Sequence, residues 1–412
     1  MKTESLKRDA LDIIDCAIKS ADPYDSTLEL LKTLDISFYG KLFVFAIGKA
    51  AVPMAKAAAD FFESRIDRGL VVTKYDHAKG FSANNFEVIE AAHPVSDKNS
   101  VLAAEKALAL AETLGENDTA IVLLSGGGSA LFEKSTVPFE TQRDITEKLL
   151  ARGAEIDEIN AIRRSISLVK GGKFAEKIYP AKVITLALSD VLSNNKSVIA
   201  SGITVPDLLG ADEIKAIANR YLPEYRELFS SLSKEKDNLP INDGGFFFVG
   251  DINSLCSAAE ERAKELGFFV EESFRKLTGE ARDTAEKLIS SVKEKCGKRA
   301  YIFGGETTVT LKGNGLGGRN QEMALAAAIR LCGKENIVFA CAGSDGTDGP
   351  TDAAGGIADG QTFFKIQNAG LDPETELENN NSYNALKAAG DLIVTGPTGT
   401  NVNDLTIILT DF

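Results

Sequence analysis

Short runs of consecutive apolar residues alternate along this chain with longer stretches whose apolar positions recur every three to four residues. KLFVFAIG (41–48), RGLVVTK (68–74), FEVIEAA (86–92), TAIVLLS (119–125) and AKVITLALS (181–189) have strand length and little period-two alternation. Helical periodicity marks 5–20, 26–34, the Ala-rich stretch after Gly48, 98–114 and about 155–178. Strands that are apolar on both faces, separated by helices, predict an α/β fold with a parallel sheet covered on both sides. Residues 223–245 are charged, proline-bearing and weakly periodic, which places a boundary there. The expected domains are 1–235 and 236–412. The second half alternates again, through FFFVGD, FFVEES, RAYIFGG, NIVFACAGSD, DLIVTG and LTIIL. It carries more hairpin signals, so a mixed sheet is expected there.

Composition adds limits. A length of 412 residues suits two or three domains. A formal charge of −14 speaks against nucleic acid or an anionic membrane as main partner. The first residues lack the apolar stretch of a signal peptide, and no apolar run approaches the length of a membrane span, so a cytoplasmic protein is expected. Five dispersed cysteines without a CxxC pair suggest neither a disulfide framework nor a zinc site. Only His77 and His93 are present, which weakens a Ser-His-Asp hydrolase from the start. His93, before a proline at a strand end, is expected to be structural.

An acidic protein that binds anions must gather its basic groups and amides locally. LLSGGGSALF places Ser125, Gly126, Gly127, Gly128 and Ser129 at a strand end, where glycines let amides approach a phosphate. Gly48-Lys49 sits likewise between strand and helix, where an ammonium could meet a phosphate. In KGNGLGGRNQE, Gly313, Gly315 and Gly318 match the dinucleotide fingerprint GxGxxG, but no acid follows where a ribose would be held. Lys312, Arg319 and Asn320 there suit phosphate or carboxylate better, with Arg319 able to clamp either bidentately. On the stretch at 155–178, Asn160, Arg163, Arg164, Ser167 and Lys170 share an arc of about 120° on a helix. Two readings stay open: a lining for an anionic cleft, or a solvated outer face.

Acids also stand at strand ends. Asp190 follows VITLALS, Glu306 follows YIFGG, and Asp345, Asp348 and Asp352 lie in the glycine-rich loop SDGTDGPTDAAGG. Strand-end carboxylates suit the Mg2+ that phosphoryl transfer needs, and Asp190, Glu306 and Asp345 are the candidate ligands. TGPTGTNVNDL offers Thr and Asn groups for phosphate or ribose hydroxyls.

Taken together, AIGKAAVPMA, HPVSDKNS, LLSGGGSALFE, INAIRRSISLVKGGKFA, ALSDVLSN, FGGETTV, GNGLGGRNQE, AGSDGTDGPTDAAGG and TGPTGTNVNDL resemble the class II glycerate kinases, the glycerate 2-kinase family with a C-terminal MOFRL domain. The resemblance is collinear over nearly the whole chain. It implies ATP and Mg2+ as cofactors, D-glycerate as substrate and 2-phosphoglycerate as product. It also implies a Rossmann-like N-terminal domain, a C-terminal α/β domain and an active site in the cleft between them. By motif, Lys49 and Arg319 would contact substrate or phosphate, and Asp190, Asp345 and Asn403 would belong to the site. Ile203 stands where the family usually has proline. A homodimer is compatible with this reading. The alternative is an NAD(P)H-dependent hydroxypyruvate reductase, which rests on the GxGxxG match.

Overall fold

The computed structural model describes residues 2–207, 209–230 and 240–412. Contacts divide the chain into two compact units: Thr27–Leu188 with Asn194–Val249, and Met1–Ser26 with Ser189–Ser193 and Gly250–Phe412. The expected boundary at 235/236 lies outside the described residues.

The sheet of the Thr27–Val249 unit contains β1 (Leu42–Ile47), β2 (Ile66–Lys74), β3 (Phe86–Ala91), β4 (Thr119–Leu124), β5 (Lys182–Leu188) and β6 (Asn242–Gly250), in the order β3-β2-β1-β4-β5-β6. The pairs from β3 through β5 are parallel. Every residue of β1 and β4 is buried, as two covered faces require. This order reverses direction between β1 and β4, the crevice where open α/β sheets bind ligands. The FFFVG run, read from the sequence with the second half, is β6 and extends this first sheet beside β5. A buried-type run carries no mark of its neighbour, so only the tertiary fold could decide that placement.

The other unit holds β7 (Phe269–Leu277), β8 (Lys298–Gly305), β9 (Ile337–Gly343), β10 (Gly355–Asp359), β11 (Leu392–Ile393) and β12 (Asp404–Asp411), ordered β11-β10-β9-β12-β8-β7. Only β7 and β8 pair in parallel; the other neighbours are antiparallel, giving the expected mixed sheet. Strand β10 escaped the sequence reading because two of its five residues are glycine. Gly355 needs that identity, since a Cβ there would overlap the Cys341 carbonyl. Thr307–Leu311 makes a single bridge, between Thr308 and Glu280.

Helix Lys2–Ser20 opens the chain yet packs in this second unit, against helix Ile252–Glu265 and strands β9 and β12. Its Lys7, 7% exposed, pairs with Asp391 at 2.8 Å and Asp359 at 3.1 Å. Burial opposes the charged ammonium, but the two carboxylates more than offset it and hold the Lys7 pKa above its usual value. Removing one partner of such a buried network strands the others without charge compensation, at a cost of about 3–5 kcal/mol. Lys7→Met should therefore lower the urea midpoint of this unit clearly. A midpoint equal to that of the wild type would show that the network contributes nothing. Among the described residues, no helix is long and apolar enough to cross a membrane.

Candidate active site

In the first unit, the ends of β1 and β4 are stitched together at the point where strand order reverses. The Ser125 amide donates to the Ile47 carbonyl at 3.0 Å, and the Lys49 amide donates to the Gly126 carbonyl at 2.9 Å. The Ala50 amide donates to Ser125 Oγ at 3.0 Å. Gly48 has φ 134°, and a Cβ there would strike Ser125, so no other residue fits this crossing. The chain then turns at Gly127, φ 86°, whose nearest neighbours are the His93 ring edge and the Lys49 stem. Lys49, His93 and the triple-glycine turn thus converge. Among the described residues, the amides of Gly126 and Gly127 donate to no protein acceptor, which leaves them available to an anion. Only one helical turn follows, Gly128–Leu131, so any anion here would meet these amides rather than a long helix dipole.

His93, expected to be structural, therefore stands beside the loop. Burial, then Lys49 and Lys74, push its pKa below the usual value, so the ring is neutral near pH 7. Its neighbourhood could not be read from its strand-end position, because Lys49 and Gly127 come from other strands.

The basic stripe at 160–170 does not share one helical face. The helix stops at Ile166, with Ser167 extended at its end and Gly171 and Gly172 at φ 63° and 86°. Ser167 and Lys170 thus lie beyond the helix and share no face with Arg163. Three of the group meet instead at Glu133, a fully buried carboxylate that the sequence did not mark. Ser167 Oγ donates to it at 3.1 Å, Lys170 pairs with it, and Arg163 lies 3.7 Å away. Burial pushes the Lys170 ammonium down to about 8. Arg163 also donates to the Ser129 carbonyl at 3.2 Å, bracing the glycine loop from behind. Arg164 pairs with Asp207 at 2.8 Å. Lys170 is fully buried, so it cannot reach a ligand without leaving Glu133 uncompensated.

Ser129 Oγ lies 2.8 Å from Ser201 Oγ. Ala200 and Ser201 have φ 47° and 58°, a left-handed conformation that costs a side-chain-bearing residue about 1–3 kcal/mol. Such strain persists where neighbours over-determine it; here Gly128 packs directly against Ala200.

In the second unit, antiparallel pairing gathers a second cluster. Asp404, the first residue of β12, pairs in register with Gly305 at the end of β8 and Gly343 at the end of β9. One sheet edge therefore carries Glu306, Ser344, Asp345, Asn403 and Asp404. Arg319 reaches this edge from the start of helix Arg319–Leu331. Its Nε and Nη2 grip Asp404 at 2.5 and 2.9 Å, and Nη1 lies 2.8 Å from Glu306. Burial opposes the guanidinium charge, but Asp404 and Glu306 hold it well above its usual pKa. Burial pushes the Asp404 carboxyl up, against the pull of Arg319. Asp404 was missed because a strand-start acid signals a site only if that strand runs antiparallel.

Asn403, φ 70°, donates from Nδ2 to the Asp190 carbonyl at 2.9 Å and to Glu306 at 3.4 Å. Its Oδ1 is buried and has no partner among the described residues. A buried acceptor left unpaired costs about 1–3 kcal/mol, so a donor on a ligand would be well received there. Asn320, read as a phosphate contact, is fully buried. Its Oδ1 accepts from the Cys341 thiol at 2.6 Å, and it supports Asp348.

The GxGxxG segment is filled by protein. Gly313 and Gly315 lie against Asn379 and Asn381, and Gly318 against Asp348. The amides of Asn320 and Gln321 are taken by the Asp348 carboxylate at 3.2 and 2.8 Å. Burial raises that carboxyl to about 6. A pyrophosphate would find the amides of Gly313 and Gly315 and those of the helix start already taken, which removes the sequence support for a dinucleotide enzyme.

Asp190, Glu306 and Asp345 do not form a metal cage. Among the described residues, no group of three or more His, Cys, Asp or Glu side chains could hold an ion. Glu306 is engaged by Arg319 and Asn403, and Asp345 accepts the Thr347 amide at 3.0 Å. An all-protein magnesium site does not fit these residues.

Two family models match the chain: a domain of unknown function (DUF4147) over residues 9–232 and the MOFRL family over 299–404. The chain is 44% identical to D-glycerate 2-kinase of Thermotoga maritima over 98% of both chains. It is 40% identical to glycerate 2-kinase of Pyrococcus horikoshii over 97% of this chain and 96% of that one. A putative hydroxypyruvate reductase of Agrobacterium vitis is 37% identical, over 96% and 93% respectively. A crystal structure of glycerate kinase from Thermotoga maritima matches with TM-score 0.92 and 43% identity, covering 99% of this chain and all of that one. Sequence and fold together define an α/β kinase. The chain belongs to the glycerate 2-kinase family, the family with a C-terminal MOFRL domain.

Proposed function

We propose that this protein transfers the γ-phosphoryl group of ATP to D-glycerate, giving 2-phosphoglycerate. The observation that carries the reading is the loop pair at the β1/β4 reversal, where Lys49 stands beside unpartnered glycine amides. An ammonium and backbone N–H groups fixed in advance favour the charge that spreads over a transferring phosphoryl group. The neutral His93 ring adds a hydrogen-bonding group without adding charge. In the second cluster, the Arg319 guanidinium is held by Asp404 and Glu306, and a glycerate carboxylate would take its Nη1 donors in exchange for Glu306. Asn403 Oδ1 would accept from a glycerate hydroxyl. Asp190 serves here through its carbonyl, which fixes the Asn403 amide. Catalysis is then mainly positioning and charge neutralisation. Identity of 44% to a D-glycerate 2-kinase over nearly the full length supports the substrate.

The test is ADP release from ATP and D-glycerate by the purified chain, with the product's phosphate position read by 31P NMR. Turnover to the 2-phosphate is expected. Absence of ADP release, or NADH consumption with hydroxypyruvate, would overturn the reading.

A further inference from the structure

A cavity in the first unit takes no part in either cluster described above. It holds about 350 Å3 and lies between helix Ala51–Phe62 and the segment that leads from β2 to β3. Val52, Pro53, Lys56, Ala59, Phe81 and Ala83 contribute to its walls. We propose that this cavity seats the adenine base of the nucleotide whose phosphates meet Lys49 and the glycine loop; the assignment of those phosphates rests on the kinase reading above.

Topology gives the first argument. With strand order β3-β2-β1-β4-β5-β6, a nucleotide lies across the β1/β4 reversal, and its adenosine half extends over the β2 side. The cavity is on that side, between the helix that follows β1 and the segment that follows β2. That segment is tied to the phosphate loop, since His77 Nδ1 lies 3.4 Å from the Lys49 carbonyl. Pro53 is on the first turn after Lys49, and Ala51 to Ala59 spans about 12 Å at 1.5 Å per residue. Base and phosphates can thus be separated by the length of a ribose and an extended phosphate chain.

Chemistry gives the second. The volume falls within the range of about 300–1,000 Å3 usual for small-ligand sites. Phe81 is half-buried and held edge-on by Phe86, with ring centroids 5.7 Å apart, so it offers a steadied aromatic wall to a flat base. Aliphatic Val52, Pro53, Ala59 and Ala83 supply apolar contact, while Asp60 and Ser82 supply polar groups for the base edge.

Charge decides between this cavity and the other. Lys56, Lys79 and Asp60 line this cavity, and Lys79 is paired with Asp76 at 3.2 Å. The cavity of about 460 Å3 beside Arg319 carries Glu306, Glu322 and Asp348 with that guanidinium, Glu322 being paired also with Arg282 at 2.8 Å. A polyphosphate tail meets more acidic groups at the second lining than at the first, whereas one small carboxylate can be held there by Arg319 alone.

Photolabelling of the full chain with 8-azido-ATP, followed by peptide mapping, tests the assignment. Label competed by ATP and confined to residues 52–60 or 76–86 is expected. Phe81→Ala should lower that label and raise the KM for ATP about tenfold, the scale of one aromatic–base stacking contact. The KM for D-glycerate should move far less than that for ATP, and Phe81→Tyr, which keeps the ring, should restore the label and the KM for ATP. Label in other segments, or no ATP-competed label, overturns the proposal even if the wild type phosphorylates D-glycerate. Label in this cavity without D-glycerate turnover would instead refute the kinase reading and uphold the nucleotide site.

Discussion

Replacing Lys49 by alanine should lower kcat/KM for D-glycerate phosphorylation by at least about 10²-fold, the scale of one charged contact made in the transition state. The loss should fall mainly on kcat, because a group that meets a transferring phosphoryl matters more as charge redistributes than in ground-state binding. The backbone at Lys49 is fixed by its own amide on Gly126 and by Gly48 packed on Ser125, so removing the side chain leaves the crossing intact. Thermal stability should therefore hold while turnover falls. Steady-state kinetics beside a melting curve reads both. A variant that turns over within about threefold of wild type would remove Lys49 from the phosphate site.

Arg319→Ala should fail twice, in stability and in catalysis. Asp404 is 5% exposed and gripped by two guanidinium nitrogens. Deleting the arginine leaves a buried carboxylate unpaired, at about 3–5 kcal/mol. The same deletion removes the donors assigned to the glycerate carboxylate, with a further loss of at least about 10²-fold in kcat/KM. The double variant Arg319→Ala, Asp404→Asn separates the two effects. Neutralising Asp404 should restore most of the melting temperature and little of the activity. Recovery of both would make Arg319 a structural partner of Asp404 and nothing more.

Within the first unit, the convergence of Lys49 with the glycine loop was legible because its signals are local. Ser125 through Ser129 and Gly48-Lys49 each stand at the end of an unmistakable apolar strand, and parallel strands put such ends on one edge. The second cluster was legible only in part. Glu306 and Asp345 follow strand ends, but Asp404 precedes one, and nothing short of the antiparallel register of β12 brings it to Arg319. The stripe at 160–170 misled because helical spacing was extended past Ile166. The helix ends where Ser167 turns extended and bridges to Ser135, and the residues that follow carry Lys170 into the interior. The GxGxxG match misled for a related reason, since a glycine's open space is meaningful only if no protein atom fills it.

By itself, the sequence determined the α/β class, the mixed second sheet, the strand-end glycine loops and the family, because apolar periodicity and glycine placement are written residue by residue. Tertiary structure alone decided that β6 joins the first sheet, that the opening helix serves the second unit through Lys7, and that Glu133, His93 and Asp404 partner residues distant in sequence. The reason is that strand order, strand direction and the pairing of buried charges are properties of segments brought together, and no single segment carries them.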